Sequence, residues 1–237
     1  MPNPFFRFKE FTVYHDRCAM KVGTDGVLLG AWTNLENTNK ILDIGSGSGL
    51  ISLMIAQRNS NAFIHAIDID PDAIEQTRIN IENSRFANRI TSECTSLADH
   101  TRKSAERYDL IVSNPPFFAD SLKSPDHKRT IARHTDTLII EDLIRDAARL
   151  LADNGRISLI YPIEYKERLM GLAMENALFV TRITDVYPTP TSKPKRILIE
   201  LSKEDRGAEE NNLIVEIDRH VYSDQFVELL RDFYLKF

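Results

Sequence analysis

Cysteine is scarce in this 237-residue chain: only Cys18 and Cys94 occur, far apart, without a CxxC or a Cys/His ligand spacing. That pattern excludes a disulfide framework and a zinc site, and it fits a reducing cytoplasm. The chain also lacks an apolar opening of signal-peptide length and any run near the ~20 apolar residues that span a bilayer. We therefore expect a soluble, cytoplasmic protein with no membrane and no metal. Internal repeats and low-complexity tracts are missing as well. Positive charge is in short supply: 30 Lys and Arg face 35 Asp and Glu, a net charge of −5. Such a field repels polyanions, so any nucleic-acid contact must come from local basic patches.

What is present reads as one α/β domain, for which the length is sufficient. From Lys40 onward short apolar runs alternate with helical patterns, the signature of βαβ units and a mostly parallel sheet. Strands are expected at Ile41–Ile44, Phe63–Ile67, Arg89–Glu93, Tyr108–Ser113 and Arg156–Tyr161. Helices are expected at Gly49–Gln57, at Pro71–Asn83 capped by Asp70, and at Ile140–Ala152 with Gly155 as stop signal. A helix at Glu164–Glu175 precedes two β-rich stretches, Leu178–Tyr187 and Arg196–Ser202, whose short connection makes them an antiparallel pair. Gly207–Asn212 reads as a polar loop, Leu213–Asp218 as a further edge strand and Ser223–Leu235 as a last helix.

Chemistry concentrates at three strand ends. Leu42-Asp43-Ile44-Gly45-Ser46-Gly47-Ser48-Gly49 turns from a strand into a helix, and glycine lets backbone approach a ligand closely. The spacing G-x-G-x-G is not the G-x-G-x-x-G of a dinucleotide cradle, which favours a cofactor without phosphates. Asp43, Gly45, Gly47 and Gly49 are taken as cofactor-binding; the alternative is a purely structural turn. Asp68 ends the second strand, where a carboxylate can accept ribose hydroxyls, and Ile69 is placed on the adenine face. Asp70 competes for that role but is better used as the helix cap.

Ser113-Asn114-Pro115-Pro116-Phe117 follows the apolar strand Tyr108–Val112. Two prolines fix φ and remove two donors, leaving a rigid loop of acceptors. A planar amine is a poor nucleophile because its lone pair is delocalised. If the Asn114 side-chain oxygen and the Pro115 carbonyl each accept one N–H, that lone pair is localised and aimed at a methyl sulfonium. Phe117 would stack on the base. We take Asn114, Pro115, Pro116 and Phe117 as catalytic, with Asn114 also at the cofactor; the bland alternative is an Asx-turn with a Pro-Pro stop. Two basic patches, Lys123, Lys128, Arg129 and Arg133, then Lys195 and Arg196 beside Lys193, read either as solvated loops or as phosphate contacts.

Together Asp43 to Gly49, Ala66-Ile67-Asp68 and Asn114-Pro115-Pro116-Phe117 resemble the class I amino-methyltransferases. The nearer resemblance is to the bacterial tRNA1(Val) adenine-N(6)-methyltransferase family. It extends over nearly the whole chain, through Phe8–Val13, Met20–Trp32, Ala132-Arg133-His134-Thr135 and Asp232–Leu235. It implies a seven-stranded class I, Rossmann-like α/β sheet with an antiparallel last strand and S-adenosyl-L-methionine as cofactor. It also implies a tRNA substrate methylated at the adenine N6 of adenosine 37, with Lys21 and Thr24 near the methionine end of the cofactor. We assign residues 1–35 to an N-terminal extension packing on the domain and 36–237 to the methyltransferase domain. Many such relatives carry an acid after the third strand, where this chain has Glu93-Cys94-Thr95-Ser96-Leu97, so the partner of the cofactor's adenine amine stays unassigned.

The rivals are methylation of a protein glutamine amide or of an rRNA guanine amine, a nicotinamide-dependent oxidoreductase, and a non-catalytic RNA-binding module. The glycine spacing and the Asn-Pro-Pro loop count against the oxidoreductase.

Overall fold

Parallel strands covered on both faces must be apolar nearly throughout, and the central strands of this protein are. The structure, a computed structural model, describes residues 3–18, 20–117 and 138–237. Its elements are β1 (Phe5–Arg7), β2 (Thr12–Tyr14), α1 (Thr24–Trp32), β3 (Lys40–Ile44), α2 (Leu50–Arg58), β4 (Phe63–Asp68) and α3 (Pro71–Glu82). There follow β5 (Ile90–Cys94), α4 (Leu97–Lys103), β6 (Tyr108–Ser113), α5 (Ile140–Leu150), β7 (Leu151–Pro162), α6 (Lys166–Glu175) and β8 (Phe179–Tyr187). The chain finishes with β9 (Arg196–Ser202), β10 (Glu209–Ile214), β11 (Glu216–Asp218), β12 (Val221–Tyr222) and α7 (Asp224–Leu230).

The main sheet has eight strands in the order β10-β8-β9-β7-β6-β3-β4-β5. Strands β5, β4, β3, β6 and β7 run parallel, and β9 is antiparallel to both β7 and β8. Seven of these strands make the expected sheet with its antiparallel last strand. The eighth is β10, parallel to β8 with Glu209 opposite Arg182 and Ile214 opposite Tyr187. It begins inside the segment expected to be a polar loop. Glu209, Glu210, Asn211 and Asn212 are all exposed, so this edge strand has no apolar alternation to announce it.

Two buried clusters cover the sheet. One joins Phe8, Phe11, Val13 and the α1 residues Val27 to Leu29 to α2 and α7; the other joins Leu143, Ile144, Ala147 and Leu150 of α5 to Ile111, Ile157 and Leu159. Each fully buried Leu or Ile there contributes about 1.5–3 kcal/mol. Helix α1 packs closely on α2: a Cβ at Gly30 would lie 2.8 Å from Met54 Sδ and 3.0 Å from its Cβ. Trp32 is buried at its end, donating from Nε1 to Thr184 Oγ1 at 2.9 Å.

Gly155 does not stop a helix. It lies within β7, where a Cβ would meet Leu151 Cδ1 at 2.7 Å and the Tyr108 carbonyl at 2.8 Å. The register slips beside it, from Tyr108 opposite Leu151 to Leu110 opposite Arg156, and the bulge needs a residue without a side chain. The last helix is shorter than expected, and Ile163–Tyr165 forms a 3-10 turn before α6. Among the described residues no helix is long and apolar enough to cross a membrane.

Candidate active site

The strands β3, β4 and β6 deliver the glycine loop, Asp68 and Asn114 to one end of the sheet, their carboxyl ends. Ile44 pairs with both Ile67 and Ser113, which sets the three exits side by side. Ser113 locks this junction by donating from Oγ to the Ile44 carbonyl at 2.8 Å.

The glycine loop is held from below by backbone bonds. Gly45 and Ser46 donate to the Ile67 carbonyl at 2.9 and 3.1 Å. Gly45, Gly47 and Gly49 all have positive φ, at 70°, 57° and 75°. Their surroundings differ. A Cβ at Gly45 or Gly47 would meet nothing within 4 Å, so open space lies over these two, whereas at Gly49 it would come within 3.2 Å of Thr77 Cγ2. Gly49 therefore serves helix packing, and the first two border the cleft.

Helix α3 braces the loop through residues that no motif announced. Thr77 donates from Oγ1 to the Gly47 carbonyl at 2.8 Å, and Asn80 donates from Nδ2 to the Ser48 and Tyr14 carbonyls, both at 2.8 Å. Thr77 and Asn80 are polar residues on the buried face that also carries Ala73, Ile74 and Ile81, and that mismatch was the available signal. Asp70 caps α3, accepting from Asp72 N at 2.9 Å.

Asp68 accepts from Gly47 N at 2.9 Å through Oδ2 and from Asp70 N at 3.0 Å through Oδ1. Each oxygen keeps a further acceptor position. Burial pushes its pKa upward against these hydrogen bonds. Beside it Ile69 is 48% exposed, a large apolar side chain left in the open. Asp43 is fully buried. Its Oδ2 accepts from Ser52 N at 3.1 Å and Ser52 Oγ at 2.6 Å, while Oδ1 has no partner among the described residues. Burial pushes its pKa up to about 6 despite the Ser52 bonds.

Asn114 is partly buried, and its Oδ1 is likewise buried without a partner among the described residues. Gly26 of α1 lies beside it: a Cβ there would stand in ordinary contact with Asn114 Nδ2, at 3.9 Å, and would crowd Leu50 Cδ2 at 3.1 Å. Pro115 is buried and Pro116 exposed. Phe117 meets Tyr161 edge-on at 6.0 Å, and the Arg196 guanidinium lies 4.6 Å from its ring centroid.

The remaining candidates are scattered. Thr24 opens α1 and lines a cavity of about 440 Å³ with Lys195, Arg196, Val186 and Val215. Lys21 is exposed, as is Lys195. Arg196 is not a free cation, since its Nε donates to Asp25 Oδ2 at 2.8 Å. Lys123, Lys128, Arg129 and Arg133 lie outside the described residues, as does the Ala132–Thr135 segment.

A glycine loop open on two residues, beside buried acceptors awaiting partners, is a site for a polar ligand. The methyltransferase small domain family matches residues 20–178. The chain is 54% identical, over the full length of both proteins, to the tRNA1(Val) (adenine(37)-N6)-methyltransferase of Parabacteroides distasonis. It belongs to that family. It is also 47% identical to the family member of Trichodesmium erythraeum, over 98% of each chain. Among solved structures, the fold is shared with Agrobacterium tumefaciens Atu636, described as a predicted O-methyltransferase, at TM-score 0.67 and 19% identity over 88% of this chain and 96% of that one. It is shared too with the ribosomal protein L11 methylase of Lactobacillus delbrueckii subsp. bulgaricus, at TM-score 0.54 and 17% identity over 76% of this chain and 77% of that one. The fold of this family member is thus the class I methyltransferase, Rossmann-like α/β fold, and its cofactor is S-adenosyl-L-methionine.

The residues present fit that cofactor. Open space over Gly45 and Gly47 admits a nucleoside, Asp68 has acceptor capacity for ribose hydroxyls, and exposed Ile69 offers an apolar face. The unpartnered oxygen of Asp43 suits a cation, such as the amino group at the methionine end.

Proposed function

We propose that this protein transfers the methyl group of S-adenosyl-L-methionine to the exocyclic N6 amine of an adenosine in tRNA, adenosine 37 of tRNA1(Val), in the cytoplasm. The observation that carries the chemistry is the buried, unpartnered Oδ1 of Asn114 at the end of β6, next to the glycine loop at the end of β3.

When bound, the cofactor supplies an electrophilic methyl on sulfonium. The protein's part is to hold the acceptor amine. Asn114 Oδ1 accepts one N–H and the Pro115 carbonyl the other, which draws the lone pair out of conjugation and fixes its direction. The rigid Pro115-Pro116 pair keeps both acceptors in place without reorganisation. Phe117 stacks on the purine and holds its plane. The proton leaves the alkylated nitrogen to solvent or the loop carbonyls, so no strong base is needed. A base in a single-stranded loop costs least to extrude into such a site. Exposed Lys195, with Lys123, Lys128, Arg129 and Arg133, supplies phosphate contacts in this reading.

The test is nucleoside mass spectrometry of tRNA from a strain lacking the protein, in which N6-methyladenosine is lost at one position. Purified protein with radiolabelled donor should label tRNA and leave rRNA and release factor unlabelled; label confined to protein or rRNA overturns the reading.

A further inference from the structure

Arg196 was read from sequence as a phosphate contact, yet its guanidinium is already engaged on three sides. Nε donates to Asp25 Oδ2 at 2.8 Å, Nη1 donates to the Lys195 carbonyl at 3.0 Å, and Cζ stands 4.6 Å from the Phe117 ring centroid. The ion pair is sheltered, with side chains 28% and 26% exposed. A guanidinium is flat, always charged and able to stack, so it can press on an aromatic ring while its edge is held by a carboxylate.

The anchor matters because of where it sits. Asp25 and Gly26 are neighbours in the first turn of α1. Gly26 lies beside the Asn114 side chain, and Asp25 holds the arginine that covers Phe117. One turn of α1 thereby stands against the start of the Asn114–Phe117 loop and, through Arg196, holds its end. On its other flank Phe117 meets the edge of Tyr161, which in turn meets Tyr165 at 5.1 Å and 75°. A ring held this way has its tilt fixed before any base arrives.

We propose that Arg196 and Asp25 are positioning residues: together they clamp Phe117 at the angle from which it stacks on the target adenine. The proposal rests on the function proposed above. Arg196 acts through the ring, and it is the flat guanidinium, not charge alone, that serves the stack and the pairing with Asp25 rather than a phosphate.

The experiment compares Arg196→Lys, Arg196→Met and Asp25→Asn in steady-state methylation of tRNA and in tRNA binding across a salt series. S-adenosylhomocysteine affinity serves as the control for folding. Lysine keeps the charge but not the planar stack, so the clamp requires Lys and Met to fail alike. We expect both to lower kcat about tenfold with KM for tRNA within about twofold, and Asp25→Asn to follow by about threefold. The slope of log K against log salt should match wild type in all three. The clamp is overturned if Arg196→Met flattens that slope by about one unit while Arg196→Lys restores it, which is the mark of a phosphate contact. Full activity in every variant overturns it as well. Should the arginine variants lose cofactor affinity through misfolding, Asp25→Asn decides alone, by its kcat. A wild-type protein that methylates no tRNA adenine sinks the underlying function too, whereas an active wild type matched by Arg196→Lys sinks only the clamp.

Discussion

Strands β3 and β6 each carry polar groups at both ends, and the two ends treat them oppositely. At the amino end Tyr108 Oη donates to Glu106 Oε2 at 3.3 Å and lies 3.0 Å from His100 Nε2 and 3.3 Å from His65 Nδ1. His65 reaches Glu93 at 3.2 Å, and Glu106 reaches Lys40 at 2.9 Å. Ligand atoms of His65, Glu93 and His100 fall within 4.8 Å of one another, but both imidazoles are tied to the tyrosine. At the carboxyl end Asp43 Oδ1 and Asn114 Oδ1 are buried with no partner among the described residues. An orphaned buried acceptor costs about 1–3 kcal/mol. The arginine-rich group around Arg156, Arg182 and Glu200 also has unpartnered atoms, but there charges of opposite sign stand close, as Arg182 and Glu200 do at 3.5 Å. A closed network builds the amino end, while the two orphans that flank the glycine loop suit a ligand; Gln57 Oε1, a further unpartnered acceptor, lies apart at the far end of α2, on a side chain that already donates to the Asp232 carbonyl.

Removing an orphan should break this contrast most severely. For Asn114→Ala we expect kcat to fall about 10²–10³-fold, the usual cost of deleting one preorganised polar group that acts on the transition state. The folded protein should not suffer, since Oδ1 makes no bond among the described residues. Single-turnover methylation with unfolding midpoints alongside checks both halves; a midpoint that drops with the rate would make Asn114 structural.

Much of this site was legible because its chemistry is contiguous in sequence. Asp43 to Gly49 and Asn114 to Phe117 follow strands buried on both faces, which read as unbroken apolar runs. What escaped the reading acts across the fold. Helix α1 is buried from Gly26 to Trp32, so it has no polar face and no helical stripe. Asp25 gave no sign of its partner 171 residues away. Thr77 and Asn80 stand out only as polar residues on the buried face of α3, and what they bind, the loop backbone, lies about 30 residues away in sequence. Strand β10 was hidden for the opposite reason, being almost entirely polar.

The second orphan can be sharpened with pH. Asp43 in the folded protein titrates at about 6, above its ordinary range, because burial disfavours its charge. The folded state therefore binds the proton more tightly than the unfolded one. On this group's account the free protein gains stability as pH falls from about 6 toward 4, and it carries a cost above 6. Asp43→Asn should remove that cost and stabilise the free protein at pH 8 by about 1–3 kcal/mol. Cofactor binding runs the other way, since a cation at Oδ1 needs the carboxylate. Affinity for S-adenosylhomocysteine should fall up to about tenfold per pH unit below 6 in wild type and much less steeply in Asp43→Asn. Some slope will remain from Asp68, whose pKa burial also raises. Calorimetry from pH 5 to 8 checks this; parallel profiles for the two proteins would detach Asp43 from the cofactor.

The closed end predicts the smallest effect on catalysis. Tyr108→Phe removes the one hydroxyl that His65, His100 and Glu106 share, and leaving buried His100 without it should cost about 1–3 kcal/mol. Burial, aided by the nearby His65, already holds the His100 pKa below its ordinary value. Its contribution is therefore fully present above the unfolded value of about 6.5 and is lost as pH falls below that value through the lower folded pKa. Denaturation at pH 8 should show the loss, with kcat within about twofold of wild type, because Tyr108 and Asn114 stand at opposite ends of β6. A variant that keeps its stability but loses its rate would mean that the strand transmits strain from one end to the other, and the division between a building end and a binding end would not hold.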